Sequence, residues 1–269
     1  MPLPVVPDDL QQVTLSTGAT VGLTDSGGDG PVVVFSHGLL MNHTMFAAQV
    51  AALRDSYRVL TWDERGHGAA EHQGTWSYWD SAADVIALMD HLGVEQAVLA
   101  GMSQGGFLSL RAALTAPDRV RALILLDTQA GPEPEEMVPL YAGMTEAWAL
   151  DGPSQDTLDF AAAAILGPGS DEQPWKDLWA AMPRHRSPQV MHPLITREDL
   201  TDRLGEITCP ALVVHGEADA SIPVEKAQAL ADGLAAARPL VLVPGAGHAA
   251  NLTHPEPVNA AILEFLSSL

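Results

Sequence analysis

The chain has 269 residues, of which 47% are hydrophobic, so it is long enough to bury a sizeable core. Its 34 acidic and 13 basic residues give a formal net charge of -21, which argues against nucleic acids and anionic membrane surfaces as partners, because both bind basic patches. Its 1 cysteine, Cys209, excludes an intramolecular disulfide and makes a cysteine-based metal site unexpected.

The amino terminus carries no targeting signal that the sequence reveals. Residues 1–7 read MPLPVVP, without a basic stretch followed by a long apolar run, so we expect no signal peptide. No window approaches about 18 uninterrupted apolar residues, so no membrane span is expected. The expected location is cytoplasmic, with a secreted or processed form as the open alternative.

Strand signals recur along the chain. Alternating segments at residues 13–15 and 21–23 come first and predict an antiparallel hairpin at the edge of a sheet. Short, continuous apolar runs follow at residues 32–35, 58–62, 97–100, 123–126, 211–214 and 240–243. Continuous apolar runs are typical of strands that are covered on both faces, as in a parallel sheet.

Helical signals separate these runs. In residues 82–92 the apolar side chains fall at helical spacing, with Asp80 as the expected N-terminal cap and Gly93 as the expected stop. Residues 107–114 and 258–266 show the same spacing. The alternation of strand and helix implies right-handed crossovers and predicts an α/β fold with one open, mostly parallel, doubly wound sheet.

Residues 131–205 break this alternation. They contain no clear strand and instead show short helical segments separated by proline and glycine, at residues 135–148, 157–165, 175–182 and 197–204. A loop of this length without its own structure is improbable in a compact domain. We therefore predict a helical cap at residues 131–205, inserted into a core domain formed by residues 1–130 and 206–269.

The sharpest chemical signal is the sequence GMSQGG at residues 101–106, between a predicted strand and a predicted helix. A serine on such a sharp turn projects its hydroxyl group, and small neighbours are needed because the backbones crowd there. A glycine-rich phosphate loop is the alternative, but no lysine follows and the spacing G-x-G-x-x-G is absent. Ser103 is the predicted nucleophile.

A serine nucleophile needs a base and an orienting carboxylate. Of the 10 histidines, His248 follows the last predicted strand, at the sheet edge where open α/β sheets place their sites. Asp219 follows the strand at residues 211–214 and lies between Ser103 and His248 in chain order. Asp127 is the rival acid, because it ends the preceding strand at the same edge.

An oxyanion formed at Ser103 needs hydrogen-bond donors. The backbone N–H groups of Leu39, after an early strand, and of Gln104, at the start of a helix, are expected to converge on it. His37 and His215 each end a strand beside a glycine and are interpreted as structural. His43 follows the first of these turns and is a candidate for lining the pocket.

These motifs give the chain a resemblance to the α/β-hydrolase superfamily over nearly its whole length. Further matching segments are HG at 37–38, DERGHG at 63–68, PDRV at 117–120, HGEAD at 215–219, GH at 247–248 and HPE at 254–256. The nearest likeness is to esterases, enol-lactonases, cofactor-free haloperoxidases and carbon–carbon bond hydrolases. The resemblance implies the α/β-hydrolase fold, the order serine, acid, histidine for the triad, and a structural role for Asp63 and His67.

The predicted reaction is hydrolysis of a small carboxylic ester or lactone through an acyl-enzyme, with Ser103, His248 and Asp219 as the triad. Ser103 stands where haloalkane dehalogenases and epoxide hydrolases of this fold carry aspartate. Carbon–carbon bond hydrolysis of a β-diketone on the same triad is the alternative, and a ligand receptor on a hydrolase scaffold is a third hypothesis. Nothing in the sequence indicates a cofactor or a metal, and the oligomeric state is not readable.

The predicted cap is rich in tryptophan and methionine, which favours a mostly apolar acyl or aryl pocket. Candidates for its lining, besides His43, are Met144, Trp148 and Trp179. Arg184 and Arg186 form a rare basic cluster in an acidic chain. They are either a solvated surface turn or a clamp for a substrate carboxylate, which would suit an acidic half-ester.

Overall fold

The computed structural model describes residues 10–167 and 170–269. Residues 1–7, where the sequence predicts no signal peptide, lie outside these ranges. Within them, no helix has the length and apolar character needed to cross a membrane.

A mixed sheet forms the centre of the described chain. Its strands are β1 Gln11–Thr14, β2 Thr20–Asp25, β3 Val32–Ser36, β4 Arg58–Asp63, β5 Ala97–Met102, β6 Val120–Leu126, β7 Ala211–Gly216 and β8 Val241–Val243. They lie in the order β1-β2-β4-β3-β5-β6-β7-β8. The pairs β1–β2 and β2–β4 are antiparallel and the other pairs are parallel. The predicted edge hairpin and the mostly parallel, doubly wound sheet are therefore confirmed.

Helices cover both faces of this sheet. They are α1 Ala47–Leu53, α2 Tyr78–His91, α3 Gln104–Thr115, α4 Val138–Asp151, α5 Gln155–Ile165, α6 Gln173–Ala181, α7 Arg186–Ile195, α8 Val224–Gly233, α9 Ala250–Thr253 and α10 Pro255–Ser267. Successive strand residues go to opposite sides: Val34 and Leu99 lie in one buried cluster, Val33 and Val98 in another. This explains why the strands are continuous apolar runs.

The N-terminal cap of α2 differs from the sequence prediction. Ser77, not Asp80, is the capping residue: its side chain accepts a hydrogen bond from the Asp80 N–H, while the Asp80 carboxylate accepts from the Ser77 N–H. This reciprocal arrangement is a capping box. At the other end Gly93 has a φ of 65°, the left-handed conformation that stops a helix, as predicted.

The stretch between β6 and β7 is helical, as predicted, but one helix lies elsewhere than expected. Residues 186–195 form α7, whereas the predicted helix at residues 197–204 is replaced by a 3₁₀ turn at Thr201–Glu206. The sequence of α7 contains Pro188 and Pro193, which discourage a helical assignment. Pro188 falls in the first turn, where its missing N–H group has no intrahelical acceptor to lose.

The register of the parallel strands brings their carboxyl ends together. Ser36 of β3 pairs with Gly101 of β5, while Leu126 of β6 pairs with both Met102 of β5 and Val214 of β7. The loops that leave these strands therefore begin at one edge of the sheet, which is where the predicted site residues lie.

Candidate active site

Ser103 occupies a strained turn between β5 and α3. Its φ of 49° and ψ of -111° fall outside the regions that residues with a side chain normally adopt. Thr128 Oγ1 donates a hydrogen bond of 2.8 Å to the Ser103 carbonyl. A side chain on Gly101 would overlap the Gly105 backbone, and one on Gly105 would overlap the Ser36 carbonyl. The small residues around Ser103 thus let the helix start against the strands.

His248 and Asp219 lie on the loops after β8 and β7. His248 Nδ1 is 2.7 Å from Asp219 Oδ2. The other carboxylate oxygen of Asp219 accepts hydrogen bonds from the N–H groups of Ser221 and Ile222, at 2.8 and 2.9 Å. The carboxylate is therefore fixed, and it holds the Nδ1 proton so that Nε2 is left as the basic nitrogen. Ser103 and His248 line the same cavity.

The two partners shift each other's pKa. Burial lowers the pKa of His248, but the hydrogen bond and charge of Asp219, with the charges of Asp127 and Glu133, outweigh it and raise the pKa. Burial raises the pKa of Asp219, but the hydrogen bond with His248 and the charges of His248 and His215 outweigh burial, so the pKa of Asp219 is lowered. The pair therefore stabilises the carboxylate and the imidazolium together.

Asp127, the rival acid, contacts backbone rather than His248. Its Oδ1 accepts from the Gly216 N–H at 2.7 Å and its Oδ2 from the Ala250 N–H at 3.1 Å. Burial is the main reason why the pKa of Asp127 rises to about 8. Asp127 thus ties together the two loops that carry Asp219 and His248, while Asp219 makes the hydrogen bond to the imidazole.

Three side chains near this point have the spacing of metal ligands. Ligand atoms of Asp127, His215 and Asp219 lie within 4.8 Å of one another. Each also has hydrogen-bond partners within the protein. Asp219 bonds to His248, Asp127 accepts from backbone N–H groups, and His215 Nε2 lies 2.8 Å from the Ile222 carbonyl. These contacts give the group a structural role in holding the loops that carry Asp219 and His248.

Of the proposed oxyanion donors, Leu39 lines the same cavity as Ser103, and Gln104 is the residue that follows Ser103 in the chain. Leu39 follows β3, and its N–H group has no acceptor within the described ranges. Gln104 is the first residue of α3, so its N–H group has no intrahelical acceptor either. Two hydrogen bonds fix the Gln104 side chain: its Nε2 donates to Glu64 Oε2 at 3.2 Å, and its Oε1 accepts from Tyr78 Oη at 3.3 Å.

Glu64 is a buried residue that sequence reasoning did not single out for the site. It also accepts a hydrogen bond of 3.0 Å from Ser81 Oγ. Burial is the main cause that raises the pKa of Glu64 to about 8. Glu64 belongs to the DERGHG turn, but its partner Gln104 is 40 positions away, so no local pattern reveals the contact.

The cavity at Ser103 is mostly apolar. Its wall includes Leu39, Leu40, Met102, Phe107, Tyr141, Met144, Phe160, Ile165, Met191, Leu194 and Ile222. Polar groups come from Ser103, His248, Ser221, Gln129, Glu133 and Arg197. An apolar cavity with a few polar groups is typical of a small-molecule site. Sequence reasoning missed Glu133 and Arg197, which pair across 64 positions with a distance of 2.7 Å between Nη1 and Oε2.

Of the residues predicted to line the pocket, Met144 does so and the others lie elsewhere. Trp148 and Trp179 are buried in the packing between helices and sheet, and Trp179 Nε1 donates to the Leu40 carbonyl at 2.8 Å. His43 is buried against Asp63, with 2.7 Å between Nδ1 and Oδ1, and borders a separate depression. That contact agrees with the structural role expected for Asp63.

Arg184 and Arg186 also lie outside the cavity at Ser103. Arg184 donates to the Leu150 carbonyl, and Arg186 donates to the Gly68 carbonyl. Both residues join neighbouring segments at the surface. The position of these two arginines favours the surface-turn interpretation over the carboxylate clamp.

Comparisons with known proteins agree with this architecture. The alpha/beta hydrolase fold family matches residues 31–255. A non-heme haloperoxidase from Rhodococcus erythropolis is 30% identical over 273 residues, which cover 95% of this chain and 99% of that protein. The 3-oxoadipate enol-lactonase 2 of Acinetobacter baylyi (strain ATCC 33305 / BD413 / ADP1) is 27% identical, with coverage of 87% and 88%. A malate-bound thermophilic esterase from Thermogutta terrifontis has a TM-score of 0.88 and 28% identity, with coverage of 97% and 98%. The chain belongs to the α/β-hydrolase fold family.

Proposed function

We propose that the chain is a serine hydrolase that cleaves a carboxylic ester or a lactone through an acyl-enzyme. The observation that carries the proposal is the 2.7 Å contact between His248 Nδ1 and Asp219 Oδ2, with His248 and the strained Ser103 on the wall of one cavity. A fixed carboxylate, an imidazole and a projecting serine hydroxyl are the parts that this reaction needs. The esterase and the enol-lactonase named above add support from relatives.

Each residue has a separate part in the mechanism. His248 Nε2 removes the proton from Ser103 Oγ as that oxygen attacks the carbonyl carbon, and the N–H groups of Leu39 and Gln104 stabilise the oxyanion. Protonated His248 then gives the proton to the leaving alcohol, which leaves an acyl-enzyme. His248 then removes a proton from water, which attacks the acyl carbon, and returns that proton to Ser103 Oγ as the acid is released. Asp219 stays ionised and stabilises the imidazolium.

Residues 131–205 act in this proposal as a cap on a core formed by residues 1–130 and 206–269. Helices from this segment contribute Tyr141, Met144, Phe160 and Met191 to the cavity wall. Their side chains are apolar or amphipathic, and methionine adapts to differently shaped ligands. The substrate is therefore expected to carry an apolar acyl or aryl group and to be a small molecule.

The experiment is covalent labelling followed by a substrate panel. A fluorophosphonate is expected to modify Ser103. In a separate, unlabelled sample, p-nitrophenyl esters are expected to be turned over, with a burst of one nitrophenolate per active site where deacylation is the slow step. The panel then compares esters, lactones and β-diketones, the last of which test carbon–carbon bond hydrolysis on the same triad. Absence of labelling and of turnover would contradict the proposal. A single slow turnover with retained product would point to a ligand receptor.

A further inference from the structure

The cavity wall that contains Ser103 also contains a buried ion pair. The side chain of Arg197 is 2% exposed and that of Glu133 is 12% exposed, with 2.7 Å between Nη1 and Oε2. Arg197 Nη1 and Nε also donate to the carbonyls of Leu194 and Gly131, each at 3.0 Å. The guanidinium lies over the Phe107 ring, with Cζ 4.4 Å from the ring centroid. The guanidinium plane is therefore held in one orientation.

One nitrogen of this fixed group has no partner. Arg197 Nη2 is buried and lacks an acceptor anywhere in residues 10–167 and 170–269. Gln129 Oε1, on the same cavity wall, is likewise buried and lacks a donor in those ranges. Buried polar atoms are almost always hydrogen-bonded, because an unmet donor or acceptor is costly away from water. Both residues belong to the wall of one cavity, and a ligand that fills this cavity is one source of the missing partners.

Charge limits what that ligand is. Glu133 already neutralises Arg197, and the nearby triad carries the Asp219 carboxylate. A substrate carboxylate in this cavity would lie close to Glu133 without a cation of its own, in a mostly apolar surrounding. An uncharged oxygen, by contrast, accepts from Nη2 without adding charge.

We infer that the substrate carries, besides the reacting ester or lactone carbonyl, a second uncharged oxygen in its acyl part, which accepts a hydrogen bond from Arg197 Nη2. Ketone, hydroxyl and amide oxygens have this chemistry, and the O–H or N–H of the last two can also donate to Gln129 Oε1. Acidic half-esters are disfavoured substrates. This inference rests on the proposed function and names the substrate class for that site.

The first test compares p-nitrophenyl esters of matched length. The plain esters are pentanoate, hexanoate and heptanoate, and the oxo esters are 4-oxopentanoate, 5-oxohexanoate and 6-oxoheptanoate. At the length that reaches Arg197, kcat/KM for the oxo ester is expected to exceed that of the plain ester by about 10-fold. The half-esters of the corresponding diacids are expected to be the poorest substrates of each length.

Variants then identify the residue responsible. Arg197→Met combined with Glu133→Gln removes the ion pair without leaving a buried charge, and the ratio of oxo to plain ester is expected to fall to about 1. The matched control is Arg203→Met with Glu206→Gln, which makes the same changes at an exposed pair outside the cavity. The control is expected to keep the ratio of the unmodified chain. Circular dichroism establishes that both variants are folded.

Glu133→Gln alone tests the charge argument. It leaves Arg197 with a free positive charge, so the half-ester is expected to improve about 10-fold relative to the plain ester. Equal kcat/KM for oxo and plain esters at every length, or a preference of the unmodified chain for half-esters, would overturn the inference. If plain esters still give a nitrophenolate burst, the proposed function survives that result. Absence of fluorophosphonate labelling and of turnover with every ester would instead refute the proposed function.

Discussion

Ser103 combines a proposed catalytic role with an unfavourable backbone conformation. At a φ of 49° and a ψ of -111°, a side chain costs about 1–2 kcal/mol that glycine does not incur. We therefore expect Ser103→Ala and Ser103→Gly to lose activity equally, by about 10⁵–10⁶-fold in kcat. Ser103→Gly is further expected to be more stable than Ser103→Ala by about 1 kcal/mol. Ester turnover and urea unfolding measure the two effects, and residual turnover near the unmodified rate would contradict the assignment.

Replacing Asp219 and replacing Asp127 with asparagine are expected to have different effects, the first on kcat and the second on stability. Asp219→Asn removes the carboxylate that holds His248 Nδ1, so kcat is expected to fall by about 10⁴-fold. Both carboxylate oxygens of Asp127 accept hydrogen bonds from backbone N–H groups. Asp127→Asn replaces one of these oxygens with an NH₂ group, which cannot accept, so the melting temperature is expected to fall. Comparing kcat and melting temperature for both variants separates the roles. The choice of Asp219 is wrong if Asp127→Asn alone abolishes turnover in a folded protein.

The raised pKa of His248 predicts the shape of the pH profile. His248 must be neutral to act as a base, so kcat/KM is expected to fall as pH drops through a value above the ordinary histidine pKa of 6.5. Asp219→Asn removes the main interaction that raises this pKa, so the acid limb of its residual activity is expected to move to lower pH. The pH dependence of kcat/KM for one p-nitrophenyl ester measures the acid limb of each protein. Identical midpoints for the two proteins would contradict the pairing.

At the scale of secondary structure, the sequence predicted what depends on local pattern. Continuous apolar runs located the parallel strands, because both faces of the sheet are covered. The sequence does not predict α7 because prolines usually interrupt helices. Pro188 is tolerated in the first turn, and tertiary packing of the buried Pro193 overrides that preference. The predicted cap of α2 lies three positions too late, although the spacing S-x-x-D at residues 77–80 is that of a capping box with Ser77 as the N-cap.

The site divides in the same way. Ser103, Asp219 and His248 each follow a strand, so the topology alone brings them to one sheet edge. The pairs Arg197–Glu133 and Gln104–Glu64 join residues 64 and 40 positions apart. Such contacts depend on how distant segments of the chain pack together, which a single sequence does not specify. The lining of the cavity was therefore less predictable than the residues proposed for chemistry.

The start of α7 offers a prediction about substrate charge. Arg184 and Arg186 are bonded to the carbonyls of Leu150 and Gly68, outside the cavity. Replacing both with glutamine is expected to change KM by less than about 2-fold for acidic and neutral esters alike, since screened surface charges have little effect at a distance. Steady-state kinetics on a half-ester and a neutral ester of equal length measure this. A selective rise in KM for the half-ester would restore the carboxylate-clamp hypothesis.

For the whole molecule, the excess of acid influences stability as well as binding. The net charge of -21 at pH 7 adds self-repulsion in the folded state as carboxyl groups ionise. Two buried carboxyl groups act in the same direction, because burial is the main cause that raises the pKa of Glu64 and that of Asp127 to about 8. A raised folded pKa means stability that is present below the unfolded value and is lost as pH rises through the folded value. The raised pKa of His248 has the same sign, whereas burial lowers the pKa of His37, His67 and His215, and their contribution to stability increases as pH rises.

Glu64→Gln is therefore expected to become more stable relative to the unmodified chain as pH rises from 5 to 8. Glutamine does not ionise, so the variant gains relative to the unmodified chain by up to about 3 kcal/mol as pH rises across that window. Urea unfolding at pH 5, 6, 7 and 8 measures the difference. Glu264→Gln removes the same charge from an exposed position of α10 and serves as the control. If Glu64→Gln runs parallel to the unmodified chain, Glu64 is already ionised in the folded protein, and its hydrogen bonds to Gln104 and Ser81 are those of a carboxylate.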